Sequence, residues 1–188
     1  MHRDLKLENI MAVSSPSSFF VKIIDFGLSR VCQNAMDGSR NGATGVKAAG
    51  TVSTAAPEVI RGEEYAAASD VWSVGCLFYK LIAKKNPFLE DHADPQSDPA
   101  GLGRLNAGDC DWACPEIART SKPGKAFLYK CFRPKVHARW SAAGSEKGDG
   151  FSPFSRLLIS SHVVTQFPLI VLDERSSLVE FSKSGHFL

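Results

Sequence analysis

Residues 70–85 begin Asp-Val-Trp-Ser-Val-Gly-Cys-Leu-Phe, and Val71, Trp72, Val74, Cys76, Leu77, Phe78, Leu81 and Ile82 leave the first three turns almost without a polar face. A helix with one apolar stripe lies on a surface, whereas a helix apolar all round must be enclosed. The stretch therefore predicts a central helix with other elements packed about it. Lys84 and Lys85 suit the negative end of its dipole, and Asn86-Pro87 stops it.

A chain of 188 residues is long enough for one domain, or one domain with a tail. Hydrophobic residues at 44% and charged residues at 22% exclude a wholly disordered or collagen-like chain. A net charge of +2 is too small to point to nucleic acid or an acidic membrane surface. The first nine residues are too charged for a secretory signal, and no apolar stretch approaches the ~18 residues of a membrane span. Neither a nucleic-acid nor a membrane partner is expected, and an intracellular, reducing compartment is. The five cysteines, Cys32, Cys76, Cys110, Cys114 and Cys131, are odd in number and scattered. Cys110 and Cys114 flank acids, but no second pair stands at zinc spacing, so they are expected to be structural.

Around the central helix the chain divides simply. Ile10–Val13 and Phe19–Ile24 are short β-rich runs separated by Ser-Ser-Pro-Ser-Ser, which predicts a hairpin over 10–24. Residues 28–54 lose periodicity and fill with Gly, Ala, Ser and Asn, which predicts a long loop of the kind that is either functional or disordered. Residues 89–100 form an acidic loop punctuated by prolines, and 124–132 suit a second helix. Beyond Trp140, glycines at 144, 148 and 150 weaken any helix.

Three segments carry chemistry, and their order matters more than any one of them. His2-Arg3-Asp4-Leu5-Lys6-Leu7-Glu8-Asn9 fits the pattern H-R-D-L-x-x-x-N in full. Asp25-Phe26-Gly27 follows the second β-run, and Ala56-Pro57-Glu58 comes before the central helix. Taken singly, Asp4 and Asn9 suit loop caps, Asp25 a turn and Glu58 a structural ion pair. Together and in order they are the protein-kinase signature set.

The chain thus resembles the C-terminal lobe of a eukaryotic protein kinase from the catalytic loop onward, over residues 1–150, with 151–188 an unassigned tail. Val21–Ser29 is similar to the calcium/calmodulin-dependent and plant-type calcium-dependent kinases. Asp70–Cys76 is similar to the family's central helix, and Arg139-Trp140-Ser141-Ala142-Ala143 to its last motif, whose Arg pairs with the Glu of A-P-E, here Glu58. The resemblance implies a mostly α fold: a kinase-like C-lobe fragment with a short β-hairpin around D-F-G and the N-lobe absent.

It also implies a Ser/Thr kinase that moves the ATP γ-phosphoryl to a protein substrate when completed by an N-lobe. Asp4 would accept the substrate hydroxyl proton, and Lys6 would neutralise charge on the transferred group. Lys6 also points to Ser/Thr acceptors. Asn9 and Asp25 would hold Mg²⁺, and Lys6, Glu8, Asn9, Met11 and Asp25 would face the nucleotide. Thr51, after Gly50, would bridge Asp4 and Lys6, and Gly27 would supply backbone freedom to aim Asp25. Asp70 would hold the catalytic-loop backbone, and Glu58 and Arg139 would be structural.

Several positions depart from the family pattern. No Gly-rich loop followed by a strand Lys appears, so the upper half of an ATP site is expected to be missing. Without the helix that leads into the catalytic loop, the central helix should expose an apolar patch. Lys47 stands where a phosphate or acid commonly meets Arg3, leaving Ser39, Thr44 or Ser53 as substitutes. Thr51–Ala55 replaces the aromatic residues common before A-P-E, which weakens the expected substrate docking. In the tail Arg156, Arg175 and Lys183 face Asp173, Glu174 and Glu180, so calmodulin binding is not expected. The rival expectation is an inactive kinase-like module that binds partners through its exposed core face and the acidic loop 89–98.

Overall fold

The hairpin forms as β1 (Ile10–Ser15) and β2 (Ser18–Ile23), antiparallel, with Ile10 opposite Ile23 and Ser15 opposite Ser18. The computed structural model describes residues 1–15, 18–30, 50–140, 171–172 and 178–179. Ser39, Thr44, Lys47, Ser141–Ala143 and nearly all of the tail lie outside them, as does Cys32. Within the tail, β3 (Val171–Leu172) runs parallel to β1 and β4 (Leu178–Val179) antiparallel to β3, giving the sheet order β2-β1-β3-β4.

The described chain is otherwise helical: α1 (Pro57–Ile60), α2 (Ala67–Ala83), α3 (Pro99–Ala107), α4 (Pro115–Ala118) and α5 (Lys122–Cys131). The central helix α2 begins earlier than residue 70 because Ala67 and Ala68 are good helix formers. Ser69 also reaches back to accept the Ala66 N–H at 3.1 Å, one half of a capping box. It ends at Ala83 because Lys84 turns left-handed at φ 59°, its N–H still bonded to the Lys80 carbonyl. The second expected helix forms as α5, two residues longer at its start, where the Ser121 hydroxyl caps the Gly124 N–H at 3.3 Å.

As its composition requires, no residue of α2 from Val71 to Ala83 is exposed. Trp72 is fully enclosed, with its ring centroid 5.2 Å from Phe88 and 5.1 Å from Phe132. Phe78 meets Phe127 of α5 at 5.2 Å. Gly75 lets α5 approach: a Cβ there would sit 2.6 Å from the Cβ of Cys131. Each large side chain buried in this way contributes about 1.5–3 kcal/mol. Cys76, Cys110, Cys114 and Cys131 are buried free thiols, and burial pushes Cys110 and Cys131 up to about 12. Cys76, Cys110 and Cys131 stay protonated and act as small apolar fillers.

Two expectations need correction. The acidic loop ends at Asp98, because Asp98 accepts the Gly101 N–H at 2.8 Å, Pro99 opens α3 and Gly108 closes it at φ 67°. Among the described residues the exposed apolar surface lies elsewhere than on α2, which α4, α5 and the 52–54 turn cover. Ile23, Phe26 and Leu28 carry it, around the second signature segment, with Tyr129 apart on α5.

Candidate active site

The site is built on Asp70, in the first turn of α2. Its carboxylate accepts the backbone N–H of His2 at 2.7 Å, that of Arg3 at 2.9 Å and the Tyr65 hydroxyl at 2.8 Å. Buried backbone donors need partners. Supplying them from one side chain anchors the start of the chain to the core helix and holds Arg3 at φ 76°. Asp70 therefore has the structural role expected of it. The Arg3 guanidinium lies 5.5 Å from the Tyr65 ring centroid.

His2 and Asn9 then fix the approach to Asp25. The His2 ring donates from Nε2 to the Ile24 carbonyl at 3.0 Å and accepts the Asp4 N–H on Nδ1 at 3.3 Å, an arrangement that only the neutral ring with its proton on Nε2 satisfies. The Ile24 N–H donates to the Asn9 carbonyl at 3.0 Å. Both backbone groups of the residue before Asp25 are thus held by the first motif. Ser29 adds a bond from its hydroxyl to the His2 carbonyl at 3.3 Å.

Asp4 is buried, and three groups converge on its carboxylate. Lys6 Nζ is 3.0 Å from Oδ2, and the Asn9 amide donates to Oδ2 at 3.2 Å and to the Asp4 carbonyl at 2.8 Å. The Thr51 hydroxyl donates to Oδ1 at 3.2 Å. The hydrogen bond to Asp4, outweighing partial burial, holds Lys6 above its ordinary value, so it is a cation at neutral pH. Gly50 makes Thr51's approach possible: it sits at φ 126°, and a Cβ would lie 2.9 Å from the Arg3 carbonyl.

Asp4, Lys6, Asn9 and Thr51 are therefore brought together. Asp25 is exposed on the adjoining segment, with Oδ1 accepting the Gly27 N–H at 3.2 Å. The left-handed residue there is Asp25 itself, at φ 60°, and not Gly27. Asp tolerates that region, and Gly27 contributes by leaving only 3.1 Å between where a Cβ would be and Asp25 Oδ1. Glu8 is exposed, and Met11 is half-buried on β1 opposite Lys22. With its amide nitrogen engaged by Asp4, Asn9 has Oδ1 left to offer a cation, and Asp25 has Oδ2. Two hard oxygen donors suit Mg²⁺.

A cleft of about 320 Å³ opens beside these groups, lined by Lys6, Glu8, Thr51, Ser53, Lys80 and Asp91 among others. Ser53 does not face Arg3, as a substitute phosphate site would. It is buried and its hydroxyl donates to Asp91 Oδ1, which is also 3.1 Å from Lys80 Nζ. The Ser53 hydroxyl, then Lys80, hold the Asp91 carboxyl below its usual value despite partial burial. Three acids of the expected docking loop are thus engaged internally: Asp91 here, Asp94 with the Gln96 N–H, and Asp98 as the cap of α3. Sequence reasoning missed this cluster, since nothing local relates Ser53 to Asp91.

Glu58 and Arg139 form a two-pronged pair at 2.7 and 2.8 Å, both side chains essentially enclosed, with Ser69 donating to Glu58 Oε1 at 2.7 Å. Burial pushes Glu58 up, but the bonds from Arg139 and Ser69 outweigh it and hold the carboxyl below its ordinary range. Arg139 also donates to the carbonyls of Arg133 and Ala68, so it ties α1, α2 and the turn after α5 into one unit.

Residues 1–147 match the family model for the protein kinase domain. The chain is 30% identical over 188 residues to a probable serine/threonine-protein kinase, fhkD, of Dictyostelium discoideum, covering 93% of this chain and 24% of that protein. It is 33% identical over 150 residues to mitogen-activated protein kinase kinase kinase 4 of Mus musculus, covering 76% and 8%. It therefore spans a quarter or less of the length of these relatives. Among solved structures, that of the Rad53 kinase domain and SCD2 in complex with AMPPNP superposes with a TM-score of 0.53 at 28% identity, over 76% of this chain and 46% of that one. Relatives of more than one kinase type match at similar identity, which supports the serine/threonine class and no narrower group. The buried helix, the hairpin and the acid-lysine-amide cluster joined by Asp70 agree with these matches, and the chain belongs to the protein kinase family.

Proposed function

We propose that this chain supplies the substrate-side half of a serine/threonine protein kinase, using ATP as phosphoryl donor and a protein Ser or Thr as acceptor, with an N-lobe completing the site. The convergence of Lys6, Asn9 and Thr51 on the Asp4 carboxylate carries the reading. A loose phosphoryl-transfer transition state needs alignment and charge neutralisation more than covalent help. Asp4 orients the acceptor hydroxyl and takes its proton. Lys6, held charged, offsets negative charge on the transferred group, and Thr51 keeps Asp4 from rotating. Asn9 Oδ1 and Asp25 Oδ2 would hold Mg²⁺, which when bound neutralises phosphate charge. Glu8 and Met11 flank the nucleotide side. Within the family, Val21–Ser29 supports the calcium/calmodulin-dependent group, without calmodulin as a partner.

The test is phosphotransfer from labelled ATP to Ser/Thr peptides by the full protein that carries this sequence. Asp4→Asn should lower kcat by about 10²–10⁴-fold with little change in KM for ATP. Equal rates for wild type and Asp4→Asn, or partner binding with no transfer, would replace this reading with that of an inactive binding module.

A further inference from the structure

Thr51 reaches Asp4 from a short 3-10 turn, Val52–Thr54, that contains no aromatic side chain. Hydroxyl groups hold it instead. The Thr54 N–H and Thr54 hydroxyl both donate to the Thr51 carbonyl, at 3.1 and 3.2 Å, and the Ser73 hydroxyl of α2 donates to the Thr54 carbonyl at 2.8 Å. These contacts fix the back of the turn. Beyond the Thr51 hydroxyl on Asp4, its front is held at Ser53, by Asp91 in the loop between α2 and α3.

Asp91 is placed by two further groups. Lys80 Nζ, one turn before the end of α2, lies 3.1 and 2.9 Å from its two oxygens, and the Asn86 amide donates to Oδ1 at 3.4 Å. Ser53 is 2% exposed, and without Asp91 its hydroxyl would lose the side-chain acceptor that holds it at the edge of the cleft. The side chain therefore joins the turn, 38 residues earlier, to the end of α2 and the loop that follows it.

We infer that Asp91 is a positioning residue that acts through Ser53, locking the 51–54 turn so that the Thr51 hydroxyl stays on Asp4. The inference deepens the kinase reading and rests on it only for its effect on rate. Lys80 sets the orientation of Asp91, and Asn86 closes the loop over it. Asp91 itself touches none of the residues assigned to the reaction.

The test is amide hydrogen exchange on the whole chain, read at Thr54 and Ala55, whose N–H groups bond to the Thr51 and Val52 carbonyls. Asp91→Ala should speed exchange there by about tenfold or more, while Phe132 at the end of α5 is unchanged. Asp91→Asn, which keeps an oxygen for Ser53, should restore most of the protection. If Asp91→Ala unprotects Phe132 as well, Ser53→Ala gives the same readout with a smaller perturbation. Faster exchange confined to Thr54 and Ala55 supports the tether, and unchanged exchange in Ser53→Ala overturns it. In phosphotransfer assays Asp91→Ala should lower kcat about tenfold and leave KM for ATP unchanged. Should wild type and Asp4→Asn prove equally inactive, the kinase reading fails while exchange still decides the tether.

Discussion

Glu58 and Asp25 are both acids of signature triplets, and they sit in opposite surroundings. Glu58 is 1% exposed and meets a two-pronged arginine and a serine hydroxyl. Asp25 is exposed on a left-handed backbone, next to a Phe26 that is 62% exposed. The segment around Asp25 is held through Ile24 by the His2 ring and the Asn9 carbonyl, and apart from an edge contact of Phe26 with His2 its large apolar side chains stay exposed. Among the described residues, the Asp4 side of the site is therefore fastened into a finished core, and the Asp25 segment is fastened by a few hydrogen bonds and one ring contact at its edge. Hydrophobic surface stabilises nothing until it is removed from water. The geometry of Asp25 should thus depend on whatever covers Phe26, while that of Asp4 should not.

The largest effect that sharpens this contrast is expected from Arg139→Ala. It leaves Glu58 buried without its charge partner and should destabilise the chain by about 3–5 kcal/mol in denaturant titrations. The sign of its pH dependence is testable. In the wild type Glu58 is held below 4.5, so its contribution is complete above that pH and is lost as pH falls through the lower folded value. In Arg139→Ala the unpartnered buried carboxyl folds most easily when protonated, so the deficit relative to wild type should shrink on acidification from about pH 7 toward 5. A deficit that grew instead would mean the pair is not the source of the stability.

A smaller cost, about 1–3 kcal/mol, is expected from Gly75→Ala, because the new methyl must displace Cys131 where α2 and α5 touch. A neutral result would show that these helices pack more loosely than the 2.6 Å approach implies. The smallest effect should come from Phe26→Ala, within about 0.5 kcal/mol in this chain, since the ring has little to lose. A loss as large as that of Arg139→Ala would break the comparison outright, by placing Phe26 in a core.

Much of this architecture was legible in the residues. The all-apolar face of 71–82 identified the enclosed helix, and the two β-rich runs on either side of Ser-Ser-Pro-Ser-Ser identified the hairpin. Resemblance assigned Asp70 to the catalytic-loop backbone and paired Glu58 with Arg139, and both contacts form. Helix α3 was hidden although its Asp-Pro start and Gly108 stop are ordinary signals, because Gly101 and Gly103 depress helix propensity within it. Gly101 is nonetheless required: a Cβ there would collide with the Asp98 carboxylate that caps the same helix. Gly27 was expected to supply the backbone freedom there, whereas the positive φ falls on Asp25, next to an Ile24 held at both its backbone groups.

What the sequence alone determined is local and periodic: which run must be buried, where strands turn, and which acids, lysine and amide stand at the spacing of the family's signature motifs. Tertiary structure alone decided that Ser53 meets Asp91, 38 residues away, that Lys80 orients that acid, and that among the described residues the exposed apolar side chains gather at Phe26 and not on α2. The reason is physical. Helix periods and caps arise from bonds between residues three or four apart, and composition records those. A hydrogen bond across 38 residues, or the side of a helix left open, exists only once every intervening element has packed.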